Sequence, residues 1–156
     1  MGVIDQSRIA PRTGSIYKSP YAEMMQGRSS LRLGDAGGLT QFGANLVQLE
    51  PGSMSSLRHW HQHEDEFVMV TEGECTLVQD AGPVVMRTGD CAAFPAGDAD
   101  GHQFINHTDK VAKFLVIGTR GPHEVVTYAD VDMVVHQERG TSRFTYKDGT
   151  DWEGPR

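Results

Sequence analysis

Between residues 42 and 118 the chain passes repeatedly from short runs rich in Val, Ile, Thr and Phe to clusters of turn-forming residues. The runs are too short and too closely spaced for ordinary helices, and the pattern predicts strands at residues 45–49, 56–61, 66–71, 76–79, 84–87, 91–94, 102–106 and 113–117. Between them lie EPG, EG, AGP, GD and TD signals and a Pro/Gly-punctuated loop over residues 95–101. About eight short strands with this turn vocabulary predict an all-β sandwich, jelly roll or barrel. Two further strands are expected at 125–128 and 133–136, and the polar end RFTYKDGTDWEGPR either packs as a last strand or stays mobile. Residues 1–41, broken by Pro11, Gly14, Pro20, Gly27, Gly34 and Gly37-Gly38, show no sustained period and read as an arm of the same domain.

Composition narrows this picture without changing it. A chain of 156 residues suits one domain, and 18 glycines fit a protein built on tight turns. Fourteen Lys and Arg against 21 Asp and Glu leave a net charge of −7, which repels phosphate backbones and anionic lipid, so neither nucleic acid nor a membrane is an expected partner. No apolar stretch approaches the roughly 20 residues of a membrane span, and the opening MGVIDQSRIAPR has no secretory apolar core, which points to the cytoplasm. Cys75 and Cys91 have no close-spaced partner and read as buried free thiols.

The chemistry concentrates in two patches. Five of the seven histidines fall between positions 59 and 107, most densely in RHWHQHEDEF. On a strand, His59 and His61 share a face while Trp60 takes the other, and antiparallel pairing of the next strand places the Glu66 carboxylate beside them. Such donors buried without partners would be unfavourable by several kcal/mol, a difficulty that a cation removes. Imidazole nitrogen with carboxylate oxygen suits Fe, Mn, Ni, Co, Cu or Zn. The alternative is an exposed hairpin decorated with histidines, and His61-x-His63 is a second same-face pair. In the other patch, GDCAAFPAGDADGHQFIN, Gly89 marks a turn, Pro95 ends a strand, Gly97 and Gly101 allow a sharp loop, and His102, Phe104 and Asn106 share a face.

Together the patches resemble the two motifs of the cupin superfamily. Gly52, His59, His61, Glu66 and Gly73 follow the first, with one extra residue between Gly52 and His59; Gly89, Pro95, Gly97, His102 and Asn106 follow the second, with two extra residues between Gly97 and His102. The longer gap implies an altered loop at the mouth of the site. LTQFGANLVQLEPG, HEDEFVMVTEGE and GDCAAFPAG are also similar to a bacterial subgroup of small single-domain cupins that share no common reaction. The resemblance spans about residues 42–118 and implies a double-stranded β-helix, with 1–41 as an N-terminal arm packed on or swapped between barrels and 119–156 as a C-terminal extension. It further implies one divalent metal held by His59, His61, Glu66 and His102, and a homodimer.

Four protein donors leave one or two positions open on a five- or six-coordinate ion, so a small oxygen-rich molecule is the expected ligand. A metal-dependent isomerase, a decarboxylase or lyase, or a dioxygenase all suit such a site; a non-catalytic module binding a sugar or organic acid is the alternative. No catalytic base is assigned, Glu64, Asp65, Asp98 and Asp100 being the candidates. His63 is expected at the mouth, His107 at the surface, and His123 and His136 in solvated or structural positions. Asn106 is expected to be structural, and Phe67, Phe94, Phe104 and Phe114 are expected to pack the barrel.

Overall fold

The computed structural model describes residues 2–138 and 140–156. Among these residues thirteen strands are formed: β1 Arg12–Thr13, β2 Arg28–Arg32, β3 Phe42–Leu49, β4 His59–His61, β5 Glu66–Glu72, β6 Glu74–Gln79, β7 Gly82–Arg87, β8 Cys91–Phe94, β9 Gln103–Ile105, β10 Ala112–Thr119, β11 His123–Tyr128, β12 Val134–Glu138 and β13 Thr141–Thr145. They build a six-stranded sheet in the order β1-β2-β3-β10-β5-β8, a four-stranded sheet β13-β12-β11-β4 and a three-stranded sheet β7-β6-β9. All pairings are antiparallel, the arrangement of a jelly-roll barrel.

Strand alternation sets the barrel core. Val47 and Leu49 on β3, Phe114 on β10 and Val68 and Val70 on β5 face inward in register, Val47 opposite Phe114 and Phe114 opposite Val70. Each such side chain contributes about 1.5–3 kcal/mol by leaving water. The opposite face of the same strands points outward, and Phe67 is 38% exposed there, which corrects its assignment to the core. Cys91, one strand over from Met69 on that outer face, is exposed as well; only Cys75 is the buried thiol expected. Gly73 joins β5 to β6 with φ +74°, and a Cβ there would lie 2.6 Å from the Val111 carbonyl oxygen, so only glycine fits.

The chain ends build a second core. β2 pairs with β3 from Arg28 opposite Leu49 to Arg32 opposite Asn45, which adds the arm to the large sheet of its own chain. Met25 from the arm, Leu57, Val126, Tyr128, Met133 and Val135 then enclose Trp152 from the polar end. This core lies behind β11 and β4 and holds the strand that carries His59 and His61.

Candidate metal centre

β4 is only three residues long, yet it is held on both sides. Its register against β11 sets His59 opposite Tyr128 and His61 opposite Val126. Across its other edge, His59 and His102 exchange backbone hydrogen bonds of 3.1 and 2.8 Å. This exchange places the His102 ring next to that of His59, with centroids 4.8 Å apart; His59 and His61 are separated by 5.0 Å. Glu66 arrives differently from the expected pairing of neighbouring strands. β5 belongs to the six-stranded sheet, between β10 and β8, so the carboxylate reaches the imidazoles across the barrel interior. The four-residue connection between β4 and β5 carries the chain from one sheet to the other, which excludes a hairpin.

The four residues bring ligand atoms within 4.8 Å of one another. The donor chemistry fits a cation. His59 Nδ1 donates to the Leu57 carbonyl oxygen at 2.8 Å, which leaves the lone pair on Nε2. Both ring nitrogens of His61 and of His102 are buried without a hydrogen-bond partner among the described residues. Their Nε2 atoms stand 3.5 and 3.3 Å from the Glu66 oxygens, within reach of its charge but outside hydrogen-bond alignment. Phe94 stacks on the His102 ring at 3.7 Å and 14°, fixing its plane.

The electrostatics are those of a coupled group. Burial opposes ionisation of Glu66, but the His102 and His61 rings beside it outweigh that and hold its carboxyl below the usual range. Burial likewise disfavours a charged His61, and Glu66 overcomes it, raising the imidazole. Burial pushes His59 down to about 3, with His102 and His61 adding to the effect. The folded chain thus leaves His59 neutral where an unfolded chain protonates it near 6.5. Stability from this group is present above the unfolded value and is lost as pH falls toward the folded one; the His61 contribution has the opposite sign and is already full below about 6.5. The metal-free protein is therefore expected to lose about 2 kcal/mol between about pH 6 and 4.5. Urea denaturation measures this, and a stability that rises on acidification over that interval would contradict the arrangement.

Most of the remaining candidates lie elsewhere, but Glu64 stands beside His61, and with Glu124 these residues bring ligand atoms within 4.8 Å of one another. His63 and His107 are exposed, His123 is exposed near Glu138, and His136 meets the Thr145 hydroxyl at 3.1 Å. Asp65 accepts from Ala96 N, Glu64 from Gly121 N, Asp98 from Asp100 N and Asp100 from Asp80 N, so each has a backbone partner. Asn106, fully buried, donates to the Leu49 and Lys110 carbonyl oxygens and ties two strand ends. One important residue escaped the sequence reading. Glu124 is 3% exposed and accepts from the backbone N–H groups of Gln62, His63 and Val125, fixing the chain just beyond His61. Its signal was the alternation in HEVVTY, which puts Glu124 on the buried face with Val126 and Tyr128.

The cluster opens on a cavity of about 390 Å³ whose wall includes Tyr17, Ser56, Phe104, Val126 and Tyr128. That volume is in the range of small-ligand sites. No helix among the described residues is long and apolar enough to cross a membrane.

Comparison with known proteins gives a consistent picture. The family model described as a cupin domain matches residues 45–118. A protein from Silicibacter pomeroyi, described as a sugar phosphate isomerase from a cupin superfamily, is 57% identical over 98% of both chains, with a TM-score of 0.96. A proposed sugar phosphate isomerase from Acidithiobacillus ferrooxidans is 28% identical over 90% of this chain and 96% of its own, with a TM-score of 0.73. A polyketide cyclase from Streptomyces resistomycificus, 21% identical over 76% of this chain and 79% of its own with a TM-score of 0.60, shares the fold alone. No curated protein matched the sequence.

Proposed function

This chain belongs to the cupin superfamily, and from that premise we propose that it is a metal-dependent isomerase acting on a sugar-like hydroxy-carbonyl compound. The observation that carries the reading is the cavity wall on which His59, His61, His102 and Glu66 converge with buried, unpartnered ring nitrogens. These four residues would hold one divalent ion. When bound, it supplies Lewis acidity toward a carbonyl oxygen. The chain's own contributions are distinct. Glu66 brings the single negative charge, and Phe94 keeps His102 in plane. Tyr17 and Tyr128 line the cavity with hydroxyls that burial keeps protonated; Tyr128 donates to Tyr17, whose own hydrogen is left to donate to a ligand oxygen. The likeness to the Silicibacter pomeroyi protein supports isomerisation over the other chemistries such a site allows.

Protein purified without added metal should contain close to one equivalent of a first-row divalent ion. In D₂O it should then exchange deuterium into an aldose or ketose phosphate at the carbon beside the carbonyl, followed by NMR. Absence of bound metal together with absence of exchange after loading with Mn, Fe, Co, Ni or Zn would end the proposal.

The outer face of the large sheet supports a second copy of this chain as partner. Met69, Leu115, Leu46 and Leu31 form one apolar row across four strands, with Phe67, Ile117 and Ala44 beside it. Phe67 and Met69 are 38% and 37% exposed, and a patch of this kind on a protomer marks an interface. Light scattering is expected to give twice the 17.1 kDa chain mass, and a monomer at micromolar concentration would refute it.

A further inference from the structure

The cavity carries a second chemical feature away from the histidines. On β2, Arg28, Ser30 and Arg32 alternate onto one face, and β1 pairs so that Arg12 lies directly opposite Ser30. Residues opposite one another in an antiparallel pair present their side chains on the same face, so three guanidinium-bearing residues surround one buried serine. All four line the cavity that the imidazoles open on. The acidic side chain on that wall is Glu66, already committed to His61 and His102.

These arginines stand apart in their pairing. In a chain with 21 acidic residues, Arg58, Arg87, Arg120, Arg143 and Arg156 all have carboxylate partners. Among the described residues, Arg12 and Arg28 have none, as is also true of Arg8 outside this cavity, and half-exposed Arg32 has one long contact of 3.4 Å to Asp35. Arg28 is partly buried, and its Nε is buried without a hydrogen-bond partner. A guanidinium withdrawn from water without a counter-charge is unfavourable, and the planar fork with its free N–H groups matches an oxyanion. Burial lowers the Arg28 pKa while the charge of Glu66 opposes this, which places Arg28 in electrostatic contact with the cluster.

We propose that Arg12, Arg28 and Arg32, gathered around Ser30 on the N-terminal arm, form a seat for a phosphate group on the ligand. The seat itself stands on the arginines alone. Its extension, that the substrate of the isomerase proposed above is a phosphorylated sugar with its oxygenated end at the imidazoles, rests on that reading. A phosphate, with more charge and more acceptor oxygens than a carboxylate, answers three forks better than one.

The test uses the full chain stripped of metal with EDTA and titrated calorimetrically with inorganic phosphate and, separately, with acetate at about pH 8. Phosphate should bind, and more tightly than acetate. Arg28→Gln should weaken phosphate binding at least about tenfold, the effect of losing a charge-assisted contact. Arg12→Gln/Arg32→Gln, at exposed positions of the arm, should do the same and carries the test if Arg28→Gln melts far below wild type. Unchanged phosphate affinity in the folded variants, no binding by the wild type, or binding only after metal is restored would each overturn the proposal. Acetate binding as tight as phosphate would overturn the ligand class. Because the stripped protein is used, failure of the metal reading leaves a positive phosphate result standing.

Discussion

Alanine in place of His61 is expected to abolish metal retention while leaving the chain folded. The imidazole is one of the four converging donors, and its two ring nitrogens make no hydrogen bond among the described residues. Its removal takes away a ligand and also one of the two rings that hold the buried Glu66 carboxylate ionised, so a thermal melt accompanies the metal assay. Loss of groups that merely orient a ligand reduces affinity about 10–100-fold, and loss of a donor from a four-donor set should exceed the upper figure. Glu66→Gln should act in the same direction, since it keeps the shape and removes the negative charge that stands nearest the His61 and His102 rings. His107→Ala, at an exposed position, is the control and should retain metal fully. Elemental analysis after gel filtration reads all three variants. Equal occupancy in wild type and His61→Ala would mean that the ligands are elsewhere.

Trp152→Ala should be the most destabilising change outside the barrel. Trp152 is 6% exposed, lies 6.1 Å from the Tyr21 ring and 6.4 Å from the Phe144 ring, and joins the arm to the end of the chain. Truncating a buried aromatic to alanine is unfavourable by about 3–5 kcal/mol, because transfer energy is lost and the cavity closes only in part. For a chain of this length, that lowers the melting temperature by roughly 6–20 °C. The consequence reaches the site, since Val126 and Tyr128 in the same core are the β11 partners of His61 and His59. Metal retention should therefore weaken along with stability. A thermal melt unchanged within about 2 °C would show that the C-terminal segment is not part of the fold.

The proposed homodimer, metal centre and phosphate seat rest on different supports, and they fail separately. Chain mass tests the outer face of the sheet, elemental analysis tests the imidazoles, and phosphate titration of the stripped protein tests the arginines. Loss of one result leaves the physical basis of the other two untouched.

Much of the architecture is local in origin and was therefore legible in the residues. Turn formers and β-branched runs marked strands such as Cys91–Phe94 to the residue, and strand alternation alone put His59 and His61 on one face. The spacing of the two motifs, by resemblance, indicated His102 as their companion, and the structure brings its ring beside theirs. Contacts between distant segments obey no local rule. The sequence has no means of stating that Glu66 comes from the opposite sheet, that the carboxylate of Glu124 gathers three backbone N–H groups, or that a polar ending hides Trp152. Nor does an aperiodic arm announce that its arginines share a cavity with histidines far along the chain. Side-chain identity and alternation depend on neighbours a few residues away and are written in the sequence. Which sheet faces which, and which charges are left without a partner once they meet, depends on packing of the whole barrel and is decided only in three dimensions.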